Sequence, residues 1–163
     1  MRHGKIKASL ELAIGTDGDD VLIGSNRDDQ SGDVLDGGAG NDTFMTFQGA
    51  DTIIGGSGAD TWHFQSWADS NANHPYDLGV DYWGDFSVAD GDKISFTAVK
   101  HYYDSNGDGE VDATRALTMD DITFTDVGDD VQMDVSVWEG DNTWDITALL
   151  GETPTEANII FAA

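Results

Sequence analysis

The first third of the chain sets one large apolar residue every nine positions, a spacing that fits neither a helix nor an alternating strand. Phe44, Ile53 and Trp62 each follow a threonine. Each stands two places after an aspartate (Asp42, Asp51, Asp60) and four after a glycine (Gly40, Gly49, Gly58). A helix face repeats its apolar residues every three or four positions, and a half-buried strand every two. One inward residue in nine predicts a three-residue strand between turns, with glycine supplying backbone conformations that other residues adopt only at a cost. Such units run over 15–23, 37–45, 46–54 and 55–63, and residues 24–36 read as one more unit with four extra residues. Two units then make one coil with a strand on each face. Leu22, Leu35, Phe44, Ile53 and Trp62 stack inside it.

Past residue 63 the period is lost. Residues 64–76 read as a loop, and "DLGVDYWGDFSVADGDKISFTAV" as strand, turn and strand, with "ADGD" at the turn. Val131, Met133, Val135 and Val137 alternate with polar residues between hairpin-sized breaks at 128–130 and 139–142. That pattern predicts an antiparallel meander over about residues 121–149. "LELAI" near the start and "ANIIFAA" at the end read as short strands. Helix is scarce, with one or two turns expected in "ATRALTMDD" (113–121). The expected division is a lead-in or linker over 1–14, a coiled block over 15–63 and a β cap over 64–163.

The charge balance sharpens this picture. There are 32 acidic residues against 7 basic ones, and 27 of the acids are aspartate. Aspartate is a poor helix former and a good turn residue and cation ligand. Three of the seven cations, Arg2, Lys5 and Lys7, fall in the first seven residues, so residues 8–163 hold four cations against 32 acids, a net −28. Such a surface repels nucleic acid and anionic membranes. The 16 aromatic residues, 5 Trp, 7 Phe and 4 Tyr, argue against a disordered polyanion. With no cysteine, neither a disulfide nor a thiolate metal site stabilises the chain. The first fifteen residues have a basic start, but Glu11 interrupts their short apolar run, so no signal peptide is expected there; nor is any apolar run long enough to cross a bilayer.

The aspartate spacing has a direct electrostatic consequence. Coils of two units bring residues eighteen apart, such as Asp42 and Asp60, to about one strand spacing, ~5 Å. Two like charges there repel by roughly 3 kcal/mol at an effective dielectric near 20. A hard divalent cation between turns reverses the sign. Carboxylates and turn carbonyls offer only oxygen ligands, which selects Ca²⁺ over Zn²⁺ or Cu²⁺ and couples folding to metal binding.

Residues 15–63 resemble an RTX repeat block, the nonapeptide G-G-x-G-x-D-x-U-x being an established calcium-binding repeat of that family. "WGDFSVADGDKISF" and the closing "NIIF" are similar to the segment that follows such blocks in exported bacterial proteins. The resemblance implies an all-β fold, a short parallel β-roll with several Ca²⁺ ions between its turns and a mostly antiparallel β cap. It also implies export of an unfolded chain by a type I secretion system, through a carboxyl-terminal signal, and folding outside the cell. Carried over by position, the metal-site residues are Asp20, Asp33, Asp42, Asp51 and Asp60, with turn glycines Gly37, Gly38, Gly40, Gly55, Gly56 and Gly58. Two units depart from the motif. The 46–54 unit has Thr46 and Phe47 in place of two glycines, and the 24–36 unit carries an insertion. Asp51 is accordingly expected to be the weakest of the three evenly spaced aspartates.

A second acidic cluster, "DSNGDGEVD", sets Asp104, Asn106, Asp108 and Asp112 at positions 1, 3, 5 and 9 of an EF-hand-type loop. Gly109 makes the sharp turn and Glu110 offers its carbonyl. Position 12 is Arg115 rather than glutamate, which excludes a complete EF-hand but leaves a calcium turn on a β scaffold, with Asp120 or Asp121 completing the shell. The four histidines form no H-E-x-x-H pattern, and neither a G-x-S-x-G elbow nor a phosphate-binding loop is present. A non-catalytic, monomeric, extracellular calcium-binding module is expected, giving calcium-triggered folding and secretion to a larger protein. One alternative is a calcium-dependent module for an acidic polysaccharide, resembling the RTX modules of alginate epimerases, with Trp138 and Trp144 beside a hairpin turn as sugar-stacking candidates. Another is an adhesin or spacer segment.

Overall fold

The structure is a computed structural model that describes residues 5–7, 12–24, 32–46, 49–64, 80–97, 100–103, 113–139 and 142–161. Two sheets face each other across a narrow core. The first contains β1 (Lys5–Lys7), β3 (Val21–Ile23), β5 (Thr43–Thr46), β7 (Thr61–Phe64), β9 (Lys93–Ser95) and β15 (Ile159–Ile160), paired in that order and parallel throughout. The second begins with β2 (Leu12–Ile14), β4 (Val34–Asp36), β6 (Thr52–Ile54) and β8 (Val80–Trp83), again parallel. β14 (Asn142–Leu150) joins β8 in parallel and carries the antiparallel extension, β13 (Asp130–Glu139) and β12 (Ile122–Val127). β10 (Lys100–Tyr103) pairs with β13 at Glu139 and with β11 (Ala113–Ala116). Among the described residues there is no α-helix, only 3-10 turns at Met119–Asp121 and Glu156–Asn158.

Each short strand exists because its middle residue has a place in the core. Leu22, Phe44, Trp62, Ile94 and Ile159 stand in register on one sheet, and Ala13, Leu35, Ile53 and Trp83 on the other. All are buried, the large ones almost completely, and each side chain larger than Ala13 contributes about 1.5–3 kcal/mol of apolar burial. The predicted stack of Leu22, Leu35, Phe44, Ile53 and Trp62 is therefore present, and it runs on through Trp83 and Ile94. The four extra residues of 24–36 are absorbed on one edge. Val21 pairs with Thr43, twenty-two residues on, whereas Thr43 pairs with Thr61 at the regular eighteen, and both keep phase.

The cap closes the carboxyl-terminal end. A run of rings, Trp62, Phe64, Phe96 and Phe161, continues the core with successive centroids 4.1, 5.0 and 6.2 Å apart. In the coils, each aspartate carbonyl accepts an N–H from the next turn, as when Asp60 accepts from Lys93. At Asp92 the donor to the carbonyl is a side chain instead, Asn158 Nδ2 at 2.8 Å.

The 77–99 stretch forms strand, turn and strand as expected, with Gly91 of "ADGD" at φ 90°; β8 and β9 lie in opposite sheets, so residues 84–92 cross the roll. Each finds its partner thirty or more residues upstream, which local patterning does not reveal. In 113–121 the one or two turns expected shrink to a single 3-10 turn at Met119–Asp121, because Ala113–Ala116 forms β11 and pairs antiparallel with β10. The meander forms as β12, β13 and β14, with Gly128 at φ 82° in the first hairpin turn.

Candidate metal centre

The aspartates form two columns, one on each edge of the roll. On one edge the backbone N–H of Asp20 donates to Asp42 Oδ1, that of Asp42 to Asp60 Oδ1 and that of Asp60 to Asp92 Oδ1, at 2.8, 2.8 and 2.9 Å. On the other, Asp33 N–H donates to Asp51 Oδ1 at 2.7 Å and Asp51 N–H to Asp81 Oδ1 at 2.8 Å. One carboxylate oxygen of each acceptor thus serves as a strut to the preceding coil. Asp20, Asp33, Asp42, Asp51 and Asp60 are all brought together in this way and all are buried.

The glycine turns between the strands are stacked against one another. Gly38, Gly40, Gly49, Gly56 and Gly58 all have positive φ. Gly58 shows why no side chain fits: a Cβ there would stand 1.8 Å from the carbonyl oxygen of Gly40 in the coil below. Gly37 and Gly55 are required by close approach alone. A Cβ on Gly37 would lie 2.3 Å from Asp42 Oδ2 and 2.9 Å from the Gly55 carbonyl oxygen.

The second carboxylate oxygens decide what the site can hold. Oδ2 of Asp42, Asp51 and Asp60 is buried, with no hydrogen-bond partner among the described residues. An unmet buried carboxylate oxygen is costly. At Gly37, Asp42 Oδ2 and the Gly55 carbonyl oxygen border the same gap, two acceptors side by side. From Ala8 to Asp92 the sequence contains a single lysine or arginine, Arg27. Oxygen-only donors, negative charge and a gap next to glycine fit a hard divalent cation, Ca²⁺ before Zn²⁺ or Cu²⁺. Asp42, with the Gly55 carbonyl beside it, and Asp51, through its unmet Oδ2, are the residues that would hold it. When bound it would supply the positive charge that allows the carboxylates to stack.

Burial pushes these carboxyls upward. Asp51 is raised to about 7, chiefly by burial and further by the charge of Asp33, while the Asp33 N–H pulls the other way. Asp60 is raised to about 6, again by burial first, with Asp92, Asp42 and Asp85 adding. Asp42 and Asp92 are also raised, and Asp81 well above the usual range, with burial the largest cause in each.

Departures from the motif have local explanations. In the first turn Thr16 stands at the second glycine position, and its N–H and Oγ1 donate to Asp20 Oδ2 at 2.6 and 2.8 Å. Thr46, also at a glycine position, accepts the Trp62 indole N–H through Oγ1 at 2.8 Å. Asp51, expected to be the weakest rung, is as buried as Asp42 and Asp60 and equally bonded to its neighbours.

Sequence reasoning passed over Asp81 and Asp92. Both continue the columns, and each precedes an inward residue by two places, Trp83 and Ile94. The Gly79-x-Asp81-x-Trp83 signature is present, but off the nine-residue period. Of the second cluster, Asp104, Asn106, Asp108, Glu110 and Asp112 lie outside the described residues, as do the side chains of Trp138 and Trp144. Arg115 holds Asp121 through two hydrogen bonds of 2.7 and 2.6 Å.

Residues 14–30 and 30–61 match a family model described as the RTX calcium-binding nonapeptide repeat, in four copies. No curated protein matches the chain significantly.

Proposed function

We propose that this chain, in which residues 14–61 are RTX calcium-binding nonapeptide repeats, is a module that stays unfolded during export and folds outside the cell when calcium loads its aspartate columns. The observation that carries the reading is the set of buried carboxylate oxygens, Oδ2 of Asp42 and Asp51 above all, that have no donor among the described residues. Without a cation these groups oppose stacking of the coils; with one they hold successive coils together. Extracellular calcium modules work at dissociation constants of about 10⁻⁴–10⁻³ M. A site in that range is empty in a low-calcium cytosol and filled outside.

The carrier would be a type I secretion apparatus, reading a signal within residues 64–163, and the module itself is non-catalytic. No helix among the described residues is long and apolar enough to cross a membrane. Co-expression with a type I secretion apparatus tests the export reading. The chain should accumulate in the medium, protease-sensitive in chelator and protease-resistant in millimolar Ca²⁺. Retention in the cells at equal expression would overturn export, and resistance in chelator would overturn calcium-triggered folding.

A further inference from the structure

The last repeat turn differs from the one before it in the polarity of what faces its aspartate. At Gly37, Asp42 Oδ2 meets the carbonyl oxygen of Gly55 from the next coil. The equivalent gap at Gly55 holds Asp60 Oδ2 and the indole nitrogen of Trp83. A Cβ on Gly55 would stand 2.5 Å from the first and 3.2 Å from the second. Trp83 is fully buried, and neither its Nε1–H nor Asp60 Oδ2 has a hydrogen-bond partner among the described residues, so an unmet donor and an unmet acceptor border one gap. The other core tryptophan, Trp62, has its N–H met by Thr46. An indole is a donor only, and a buried donor left unmet costs about 1–3 kcal/mol. At the end of the column, then, an N–H stands where the preceding turn presents an oxygen. A cation is repelled by the donor and gains no ligand from it.

The same turn is closed from its other side by a side chain. In the earlier turns the first glycine N–H donates to a strand carbonyl of the next coil, as Gly37 does to Ile54. Gly55 and Gly56 donate instead to the carboxylate of Asp85, at 3.1 and 2.8 Å. Asp85 and Trp83 both lie beyond the matched repeats.

We propose that Trp83 and Asp85 form a metal-independent end to the calcium column: the Trp83 indole N–H takes up Asp60 Oδ2 in place of a cation, and the Asp85 carboxylate takes up the turn amides in place of another coil. The chain's own sequence thereby limits how many ions this edge holds. Calcium belongs at the Asp42 turn and not between residues 55–60 and 84–92. Asp60 remains a strut to Asp42 through Oδ1.

This rests on calcium loading the Asp42 turn, and the test separates the two. Calcium stoichiometry and affinity are measured by calorimetric titration on the full chain and on D42N and W83F. D42N should lose one ion, or bind it at least tenfold more weakly. W83F, which keeps a ring in the core but removes the donor, should bind one ion more than the wild type. A wild-type ion count in W83F overturns the Trp83 closure and leaves calcium binding intact, whereas a wild-type chain that binds no calcium overturns the reading beneath it. Should W83F fail to fold, a crystal structure of the calcium-loaded wild type decides. It should show Trp83 Nε1 within hydrogen-bond distance of Asp60 Oδ2 and no ion between them; an ion there refutes the proposal.

Discussion

Replacing the glycine at one position of successive turns should have opposite effects depending on the coil. Gly18, Gly40 and Gly58 stack in one column. A Cβ on Gly58 would stand 1.8 Å from the Gly40 carbonyl oxygen, and one on Gly40 would stand 2.6 Å from the carbonyl carbon of Gly18. Both obstacles are backbone, so they cannot rotate away as a side chain would. Gly58 has φ 133° and Gly40 φ 125°, where an L side chain is strained. Placing alanine at positive φ costs about 1–2 kcal/mol, and overpacking against a fixed neighbour adds about 1–3 kcal/mol. Gly58→Ala should therefore destabilise the calcium-loaded chain by about 2–5 kcal/mol. Gly18 looks away from the stack. A Cβ there meets nothing within 4 Å, and its φ is unstrained. Gly18→Ala should be neutral or stabilising by up to about 1 kcal/mol, through the unfolded state. Urea unfolding in saturating Ca²⁺, followed by tryptophan fluorescence, measures both. If the two variants fall within about 0.5 kcal/mol of each other, the stacked-turn argument fails.

Two further predictions rest on buried polar groups. The carboxyl of Asp51 is raised to about 7 and that of Asp42 is raised as well, so the folded ion-free chain holds protons that the unfolded chain releases near pH 4. Folding without calcium takes up protons. The ion-free roll is thus most stable below about pH 4 and loses that stability as pH rises toward about 7. Calcium competes with the same protons, so its affinity should rise across this window with proton release on binding; calorimetry in buffers of different ionisation enthalpy reads this, and a pH-independent affinity contradicts it. Thr46→Val keeps the volume but removes the acceptor of the Trp62 indole N–H. It should cost about 1–3 kcal/mol in urea unfolding with calcium affinity unchanged per folded molecule, and an unaltered midpoint would show that Thr46 is only a filler.

Much of the roll was legible because its rule is local. The Gly-x-Asp-x-apolar order states which residue turns, which bonds upward and which points inward, and Leu22, Leu35, Phe44, Ile53 and Trp62 obey it. What escaped the sequence was non-local. The rungs at Asp81 and Asp92 follow long insertions, so a fixed period missed them although their Asp-x-apolar triplets remain. That β8 and β9 fall in opposite sheets was not legible either, because their partners are set by the stack and not by their own residues. "ATRALTMDD" has helix-forming residues, but pairing with β10 outweighs weak propensity over so short a stretch. Asp51 looked weak for want of two glycines, yet Thr46 fills one of those places with a hydroxyl the core uses.

The central claim is that calcium, and not the narrow apolar core alone, holds the coils together. Far-ultraviolet circular dichroism of the full chain, in EDTA and then through a titration to millimolar Ca²⁺, tests it most directly. The account predicts a coil-like spectrum in EDTA that converts cooperatively to β signal as Ca²⁺ is added, and that Mg²⁺ at the same concentration does not reproduce. A full β signal in EDTA, unchanged by Ca²⁺, would contradict it.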